Sequence, residues 1–325
     1  MTSALGPKGP EHDQRRCKFL TPNPGFDRGS IQTATVIGSP APVMTAIDAT
    51  GVTLQLDTAP RRIVSLVPSL TEALFALGAG DLVVGVTRFC EEPAGRVARL
   101  PKVGGTKTPD VQAVAALNPD MVIASTEENR EVDVEALRAA GLSVFVTFFA
   151  TVPSALDGID AIARIVGVDS ETCSWLGESR TLVAAAKLRQ VEPVAYFCPI
   201  WRRPYMVARS DTYMSDLLAL AGGQSCFAVN APAHYWSVDL ADLGSAAPDV
   251  ILLPDEPYRF APRHVSDFAP YPDVPAVASG RIHFIDGRSL SWYGPRIPHA
   301  LNTFTAIFDA ICEKRPLQGV AHGSH

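Results

Sequence analysis

The chain has 325 residues, of which 47% are hydrophobic and 19% charged, and its formal net charge is −6. This length predicts about two domains, and the apolar content excludes a chain that is disordered throughout. The acidic balance argues against nucleic-acid binding, which needs clustered Lys and Arg. Because no apolar run reaches the roughly 18 residues that cross a bilayer, we also expect no membrane insertion.

The two ends of the chain differ from its body. Residues 1–43 are rich in Gly, Pro, Arg and Thr without periodicity, so we expect a disordered N-terminal extension and a natural start at Met44. The extension lacks the apolar stretch of a secretory signal, and no lipoprotein cleavage motif precedes Cys17. These features predict a cytoplasmic protein, and residues 314–325 are predicted to be a flexible tail.

Strands and helices alternate in the body of the chain. Residues 62–67 are apolar and β-branched, which is typical of a short buried strand. Ser69 and Glu72 have the spacing of a capping box, so we expect Ser69 to cap the helix that follows. The same order returns in the second half, where 194–198 predicts a strand and 213–221 a helix.

Further segments also occur twice. Residues 114–123 and 243–252 each combine a helix end, a Pro-Asp pair and a strand. A third pair, 141–146 and 280–285, follows in the same order, and each member is a glycine followed by an apolar strand. Three matches in one order indicate an internal duplication.

Alternation of this kind predicts parallel sheets with right-handed crossovers. We therefore predict the α/β class, with two small lobes that each have a central parallel sheet, over 59–150 and 192–313. Residues 151–191 carry apolar side chains at helical spacing and predict a rigid helical connector. Since ligands of open α/β sheets bind beyond the carboxyl ends of the strands, we expect a ligand cleft between the lobes.

Aromatic and charged residues concentrate in the loops after these strands. Aromatic faces beside arginines suit a large, flat, partly apolar ligand with anionic groups, which the basic residues would pair with. The alternative is that the tryptophans only cover the second core. The candidate ligand-binding residues are Arg88, Cys90, Thr106, Lys107, Glu127, Glu128, Trp201, Arg202, Arg203, Tyr205, Tyr235, Trp236, Glu256, Tyr258, Trp292, Tyr293 and Arg296.

Metal and catalytic motifs are sparse. Cys90 beside Glu91 and Glu92 is either a buried structural thiol or an axial ligand to a bound metal complex. The first lobe has no histidine after His12, which disfavours capture of a bare zinc or manganese ion. The GxSxG, HExxH and Walker motifs are absent from the sequence.

Residues 62–72, the element 118–123 and the helical connector resemble the cobalamin and iron-siderophore substrate-binding proteins of ABC transporters, the helical-backbone metal receptors. The resemblance covers about 59–312. It implies two α/β lobes bridged by a rigid helix, with a corrinoid, haem or ferric chelate between them. We thus predict a solute-binding protein, not an enzyme, that requires no cofactor and binds a cobalamin-like ligand first and haem or a ferric siderophore next.

Two alternatives remain at this point. One is a cytosolic enzyme that processes cobamides or tetrapyrroles, with Glu127, Glu128 or Glu256 as acid or base. The other is an exported receptor of an ABC transporter whose start has been misassigned.

The sequence departs from the resemblance at the expected docking positions. Each lobe of the cobalamin receptors presents a glutamate to arginines of the membrane permease, and Gln112 and Ala241 stand at these places here, near Asp110 and Asp242. Loss of both charges removes the docking ion pairs, so we expect a receptor uncoupled from its permease. A stacking aromatic expected near Thr106 is also absent.

Overall fold

The computed structural model describes residues 44–227 and 233–313. The strands of this part are β1 Met44–Ile47, β2 Thr53–Leu56, β3 Ile63–Ser65, β4 Val83–Val86, β5 Gly104–Gly105, β6 Thr108–Pro109, β7 Met121–Ser125, β8 Val144–Thr147, β9 Val194–Phe197, β10 Tyr205–Ala208, β11 Gly223–Ser225, β12 Tyr235–Val238, β13 Val250–Pro254 and β14 Ile282–Ile285. Its α-helices are α1 Pro68–Ala76, α2 Ala94–Val97, α3 Val111–Ala116, α4 Glu131–Ala139, α5 Val152–Ile165, α6 Ser174–Leu188, α7 Tyr213–Leu220, α8 Leu243–Ala246, α9 Pro275–Ala278, α10 Gly287–Ser291 and α11 Ile297–Cys312.

Two four-stranded parallel sheets form the centres of the two lobes. The first has the order β4-β3-β7-β8 and the second the order β11-β9-β13-β14. In each sheet, the strand that comes first along the chain lies between the second and the third strands of that sheet. The predicted duplication and the predicted α/β architecture with parallel sheets are confirmed.

The repeated Pro-Asp pairs make equivalent contacts in both lobes. Asp120 accepts hydrogen bonds from the backbone N–H groups of Arg61 and Arg62 at 2.7 and 2.9 Å. Asp249 accepts one from the N–H of Ala195 at 2.9 Å. In both copies the residue before the proline is left-handed, with φ of 43° and 42°. Each aspartate therefore ties the start of its own strand to the start of the neighbouring strand.

The two lobes share one hydrophobic core. Helices α1, α5, α6, α7 and α11 pack on one face of both sheets and form a single continuous cluster of buried side chains. Each sheet has a separate small core on its other face. Alternation along β3 places Ile63 in the shared core and Val64 in the outer core of the first lobe. The lobes are thus joined by packed helices as well as by the connecting chain.

The predicted capping box at the start of α1 is wrong. The helix begins two residues earlier than predicted, at Pro68, with Val67 as N-cap and no side-chain cap, because proline fits the first turn of a helix. Ser69 therefore lies inside the helix. The carboxylate of Glu72 instead accepts a hydrogen bond from Nε of Arg296 in the other lobe at 2.8 Å.

The predicted helical connector consists of two helices, α5 and α6. The chain leaves α5 after Ile165, and Gly167 has φ +74°, a conformation that only glycine adopts readily. A single 3₁₀ turn, Ser170–Thr172, then precedes α6. The prediction that this whole segment is helical is therefore wrong, because the chain leaves the helix between α5 and α6.

The hairpin of β1 and β2 precedes the predicted first lobe and was not predicted. It packs on the first lobe, where the buried carboxylate of Asp48 pairs with Arg138 of α4 at 2.5 Å. Residues 1–43 and 314–325, predicted as an extension and a tail, lie outside the described residues. Over 44–227 and 233–313, the helices are either too short or too polar to cross a membrane.

Candidate functional site: a cleft between the lobes

The carboxyl ends of the two sheets face each other, and the loops that follow them define the cleft. Tyr293 of the second lobe makes hydrogen bonds with Ser69 and Ser125, both of the first lobe. At the next residue, Gly294, a Cβ atom would lie 3.2 Å from the Cβ of Ala73 in α1, and φ is +125°. Glycine thus allows the backbone at residue 294 to approach helix α1 closely.

Arg288 connects the two lobes through three carboxylates. It is 2.5 Å from Glu91 and 3.4 Å from Glu92 in the first lobe, and 3.2 Å from Glu256 in the second. Its guanidinium also lies 5.0 Å from the ring centroid of Trp292. Because one cation faces three acidic groups, the negative charge on this side of the cleft is only partly balanced.

Arg296 also contacts the Trp292 ring. Its guanidinium is 5.3 Å from the ring centroid, and it pairs with Glu72 of α1. The indole Nε1 of Trp292 donates to Glu256 at 3.2 Å. Trp292 is buried, with two arginines in contact with its ring. Cation–π contacts and the hydrogen bond to Glu256 together hold it in place.

A carboxyl cluster, formed by Glu127, Glu128 and Glu256, faces the cleft from both lobes. Burial raises the pKa of Glu127 to about 7, and Glu128 adds to the rise, whereas Lys107 and a hydrogen bond with Tyr235 oppose it. Burial also raises the pKa of Glu128; Lys107 opposes this rise, and Glu256 of the other lobe adds to it. The cluster therefore holds carboxyl groups that resist ionisation together.

The loop that contains Thr106 and Lys107 is fixed to the loop after β7. Thr106 is buried, and its backbone carbonyl accepts a hydrogen bond from Nδ2 of Asn129 at 2.9 Å. This carbonyl is therefore already used within the protein. Lys107 Nζ donates to the carbonyl of Glu127 at 2.6 Å. These bonds hold Lys107 beside the carboxyl cluster.

Several predicted ligand-binding residues instead form an aromatic cluster within the second lobe. Arg202 pairs with Asp267 through two hydrogen bonds, of 2.6 and 2.9 Å, and the hydroxyl of the buried Tyr205 donates to the same carboxylate. Trp201 contacts Tyr258 edge to face, with ring centroids 5.7 Å apart. Arg202, expected to hold an anionic group of the ligand, is thus satisfied by the protein itself.

Arg203 and Trp236, two more of the predicted ligand-binding residues, are placed differently in the second lobe. Arg203 is exposed, with φ +65° in the turn that follows Trp201. Trp236 is half-buried in β12, opposite Val207, and its Nε1 has no hydrogen-bond partner among the described residues.

Of the two interpretations left open for Cys90, its surroundings favour the structural thiol over the axial metal ligand. Its side chain is 1% exposed, and Sγ lies 3.2 Å from the hydroxyls of both Thr71 and Thr87. Burial raises the pKa of the thiol, while these hydroxyls oppose the rise. A buried neutral thiol is a poor metal ligand, so the alternative, a structural thiol, is the one that fits.

Phe89 is a candidate ligand-binding residue that the sequence analysis missed. Although it is an aromatic residue, it is 49% exposed, and the exposed Arg88 lies 5.0 Å from its ring centroid. A Cβ atom at Gly105 would be 3.2 Å from both Arg88 and Phe89, so these side chains cover the loop before Thr106. The signal was present, since Phe89 lies between the candidates Arg88 and Cys90, three residues after β4.

Arg288 and Tyr213 were also missed. Arg288 comes three residues after β14, where the rule about strand ends would have placed it in the cleft. Tyr213 begins α7, and its ring lies 5.5 Å from that of Tyr293. No sequence signal distinguishes Tyr213 from an ordinary core tyrosine.

One cavity of about 530 Å³ lies away from the carboxyl cluster, on the second lobe, beside Pro204, Tyr205, Leu240 and Tyr271. Among residues 44–227 and 233–313, groups of three or more His, Cys, Asp or Glu arranged to hold a metal ion are absent.

Comparison with known proteins places the chain in a family. The model of that family, described as "Periplasmic binding protein", matches residues 63–288. The chain belongs to this family. The family consists of solute-binding receptors of ABC transporters and not of enzymes, so the predicted class of protein is confirmed and the enzyme alternative is not supported.

Individual members of the family are distant relatives. The vitamin B12-binding protein of Vibrio parahaemolyticus is 24% identical over 266 residues, which are 78% of this chain and 91% of the relative. The periplasmic vitamin B12 binding protein of Vibrio cholerae has a similar fold, with a TM-score of 0.69 and 20% identity, over 79% of this chain and 99% of that one. A periplasmic haem-binding protein of Roseiflexus sp. RS-1 gives a TM-score of 0.66 and 26% identity, over 78% and 99%.

Proposed function

We propose that this chain binds a metal-containing macrocycle in the cleft between its lobes, with cobalamin as the first candidate and haem or a ferric chelate next. The observation that carries this proposal is the meeting of post-strand loops from both lobes around aromatic and charged side chains. The names of the relatives, which bind vitamin B12 or haem, support the class of ligand.

The aromatic side chains at the cleft support a flat ligand. Phe89 of the first lobe exposes much of its ring, and Tyr235 of the second lobe reaches the carboxyl cluster. An exposed aromatic ring beside the cleft offers a flat apolar face on which a macrocycle can stack. The family resemblance implies a stacking aromatic near Thr106, and Phe89, which lies beside Gly105, is a candidate for this role.

Titration of the purified protein with hydroxocobalamin, followed by UV–visible difference spectroscopy, tests the proposal. We expect a spectral shift that saturates at one ligand per chain, with haem as the parallel comparator. Saturation by haem alone would keep the cleft and change the ligand. If neither ligand gives a saturable shift, the proposal is wrong for both classes.

We further propose that the chain does not dock on a permease through paired acidic residues. Gln112 in α3 and Ala241 are both exposed and uncharged. The nearby Asp110 caps α3 by accepting from the N–H of Ala113 at 3.0 Å, which occupies one of its carboxylate oxygens. In a reconstituted transporter of a cobalamin receptor, we expect this chain not to stimulate ATP hydrolysis; stimulation equal to that by the cognate receptor would contradict the proposal.

The cytoplasmic location stays a prediction. Fractionation of the native cell tests it, because an exported receptor would leave the cytosolic fraction.

A further inference from the structure

Two arginines at the cleft, Arg288 and Arg296, already have protein carboxylates as partners, whereas the exposed Arg88 lies against the ring of Phe89. Arg288 pairs with Glu91, Glu92 and Glu256, and Arg296 pairs with Glu72 across the lobes. An anionic ligand group would have to displace these carboxylates and leave them in a partly buried place without a cation, which is unfavourable. Arg288 and Arg296 therefore offer little to a ligand that brings carboxylates of its own.

Acidic groups also outnumber cations at the place where the two lobes meet. Arg288 and Lys107 are the cations in contact with the carboxyl groups of this region, whose members are Glu91, Glu92, Glu127, Glu128 and Glu256. Burial is the main cause of the raised pKa values of Glu127 and Glu128, and neighbouring carboxylates add to both, Glu128 to that of Glu127 and Glu256 to that of Glu128. A positive charge or a set of N–H donors would relieve this repulsion.

We propose that the cleft selects corrinoids that are cationic or neutral and carry amides, and rejects macrocycles whose periphery carries carboxylates. This inference rests on the proposed function and adds the charge class of the ligand. Peripheral amides supply N–H donors for Glu127 and Glu128. A cobalt(III) corrin without its nucleotide loop adds positive charge, whereas the propionates of haem would meet the protein's carboxylates.

Two corrinoids with the same ring test the charge preference directly. Cobinamide carries amides and is cationic, whereas cobyrinic acid carries carboxylates in place of the amides. We expect the intact protein to bind cobinamide at least about tenfold more tightly than cobyrinic acid at pH 8, which corresponds to about 1.4 kcal/mol. Isothermal titration calorimetry measures both affinities, and haem is expected to bind at least as weakly as cobyrinic acid.

Charge-neutralising variants locate the source of the preference. In the double variant Glu127→Gln and Glu128→Gln, we expect the cobinamide preference to fall at least about threefold. Glu135→Gln, which removes one carboxylate charge from an exposed position in α4, should leave it unchanged. Circular dichroism of each variant shows that it is folded.

The outcomes separate this inference from the function on which it rests. Equal or tighter binding of cobyrinic acid by the intact protein would overturn the charge preference and leave corrinoid binding in place. A preference that the double variant leaves unchanged would overturn its assignment to the carboxyl cluster. Absence of binding by cobinamide, hydroxocobalamin and haem alike would contradict the proposed function itself.

Discussion

The two lobes have the same sheet order and the same Pro-Asp contacts, but their cleft-facing loops differ. The first lobe contributes mostly acidic side chains and one exposed aromatic, Phe89, whereas the second contributes arginines and buried aromatics. Trp292 and Tyr293 of the second lobe are held by Glu256 and by serines of the first lobe. The repeated segments thus give both lobes the same sheet order. The cleft, in contrast, depends on the loops between strands and helices, in which the two lobes differ.

The largest effect is expected where the two lobes are alike. Asp120→Ala and Asp249→Ala each remove a carboxylate that accepts backbone hydrogen bonds, so we expect each variant to lose about 2 kcal/mol of unfolding free energy. Urea denaturation measures both losses. A loss in one lobe only would show that the two Pro-Asp pairs are not equivalent.

The carboxyl cluster distinguishes the first lobe from the second and should make stability depend on pH. The folded protein raises the pKa of Glu127 from 4.5 to about 7, so its stabilising protonated form is present at low pH and is lost as pH rises through about 7. We expect Glu127→Gln to raise the unfolding free energy by about 2 kcal/mol at pH 8 and by much less at pH 5.

Thermal unfolding at the two pH values checks this expectation, with Glu135→Gln as the matched variant. An equal effect of Glu127→Gln at both values would mean that Glu127 titrates normally.

Exposed phenylalanines offer a second contrast between the lobes. Phe89 is 49% exposed at the cleft of the first lobe, and Phe284 is 46% exposed on β14 of the second. If a macrocycle covers Phe89, Phe89→Ala should weaken hydroxocobalamin binding about tenfold, because a stacked ring contributes about 1 kcal/mol or more. Phe284→Ala should have no effect on affinity, and equal losses in both variants would remove Phe89 from the site.

The smallest effect is expected at Cys90. Because the thiol is buried and bonded to two threonines, Cys90→Ala should cost about 1 kcal/mol of unfolding free energy. It should leave both the affinity for hydroxocobalamin and the spectrum of the bound ligand unchanged. A spectral change on substitution would restore the role of axial ligand.

Much of the fold could be predicted because it depends on local patterns that occur twice. Apolar strands, Pro-Asp breaks and glycines at helix ends gave the two sheets and most helix positions. The break between α5 and α6 was missed because the apolar stripe continues across it, and the conformation of Gly167 decides the outcome. The capping box was predicted wrongly because Pro68 favours an earlier helix start.

The site could be predicted only in part. The strand-end rule located Glu127, Glu128 and Trp292, since it depends on position along the chain. It could not tell which arginines are already paired, because the partners of Arg296 and Arg202 lie 224 and 65 residues away. It also could not show that Cys90 points into the core, since burial depends on the packing of α1 against β3 and β4.

Hydrogen exchange with and without hydroxocobalamin tests the central claim most directly, namely that ligand binds between the lobes. We predict slower exchange in post-strand segments of both lobes, at 87–92 and 125–129 in the first and at 255–260 and 286–293 in the second. Slower exchange in one lobe alone, or only around the cavity at Pro204 and Leu240, would contradict the account.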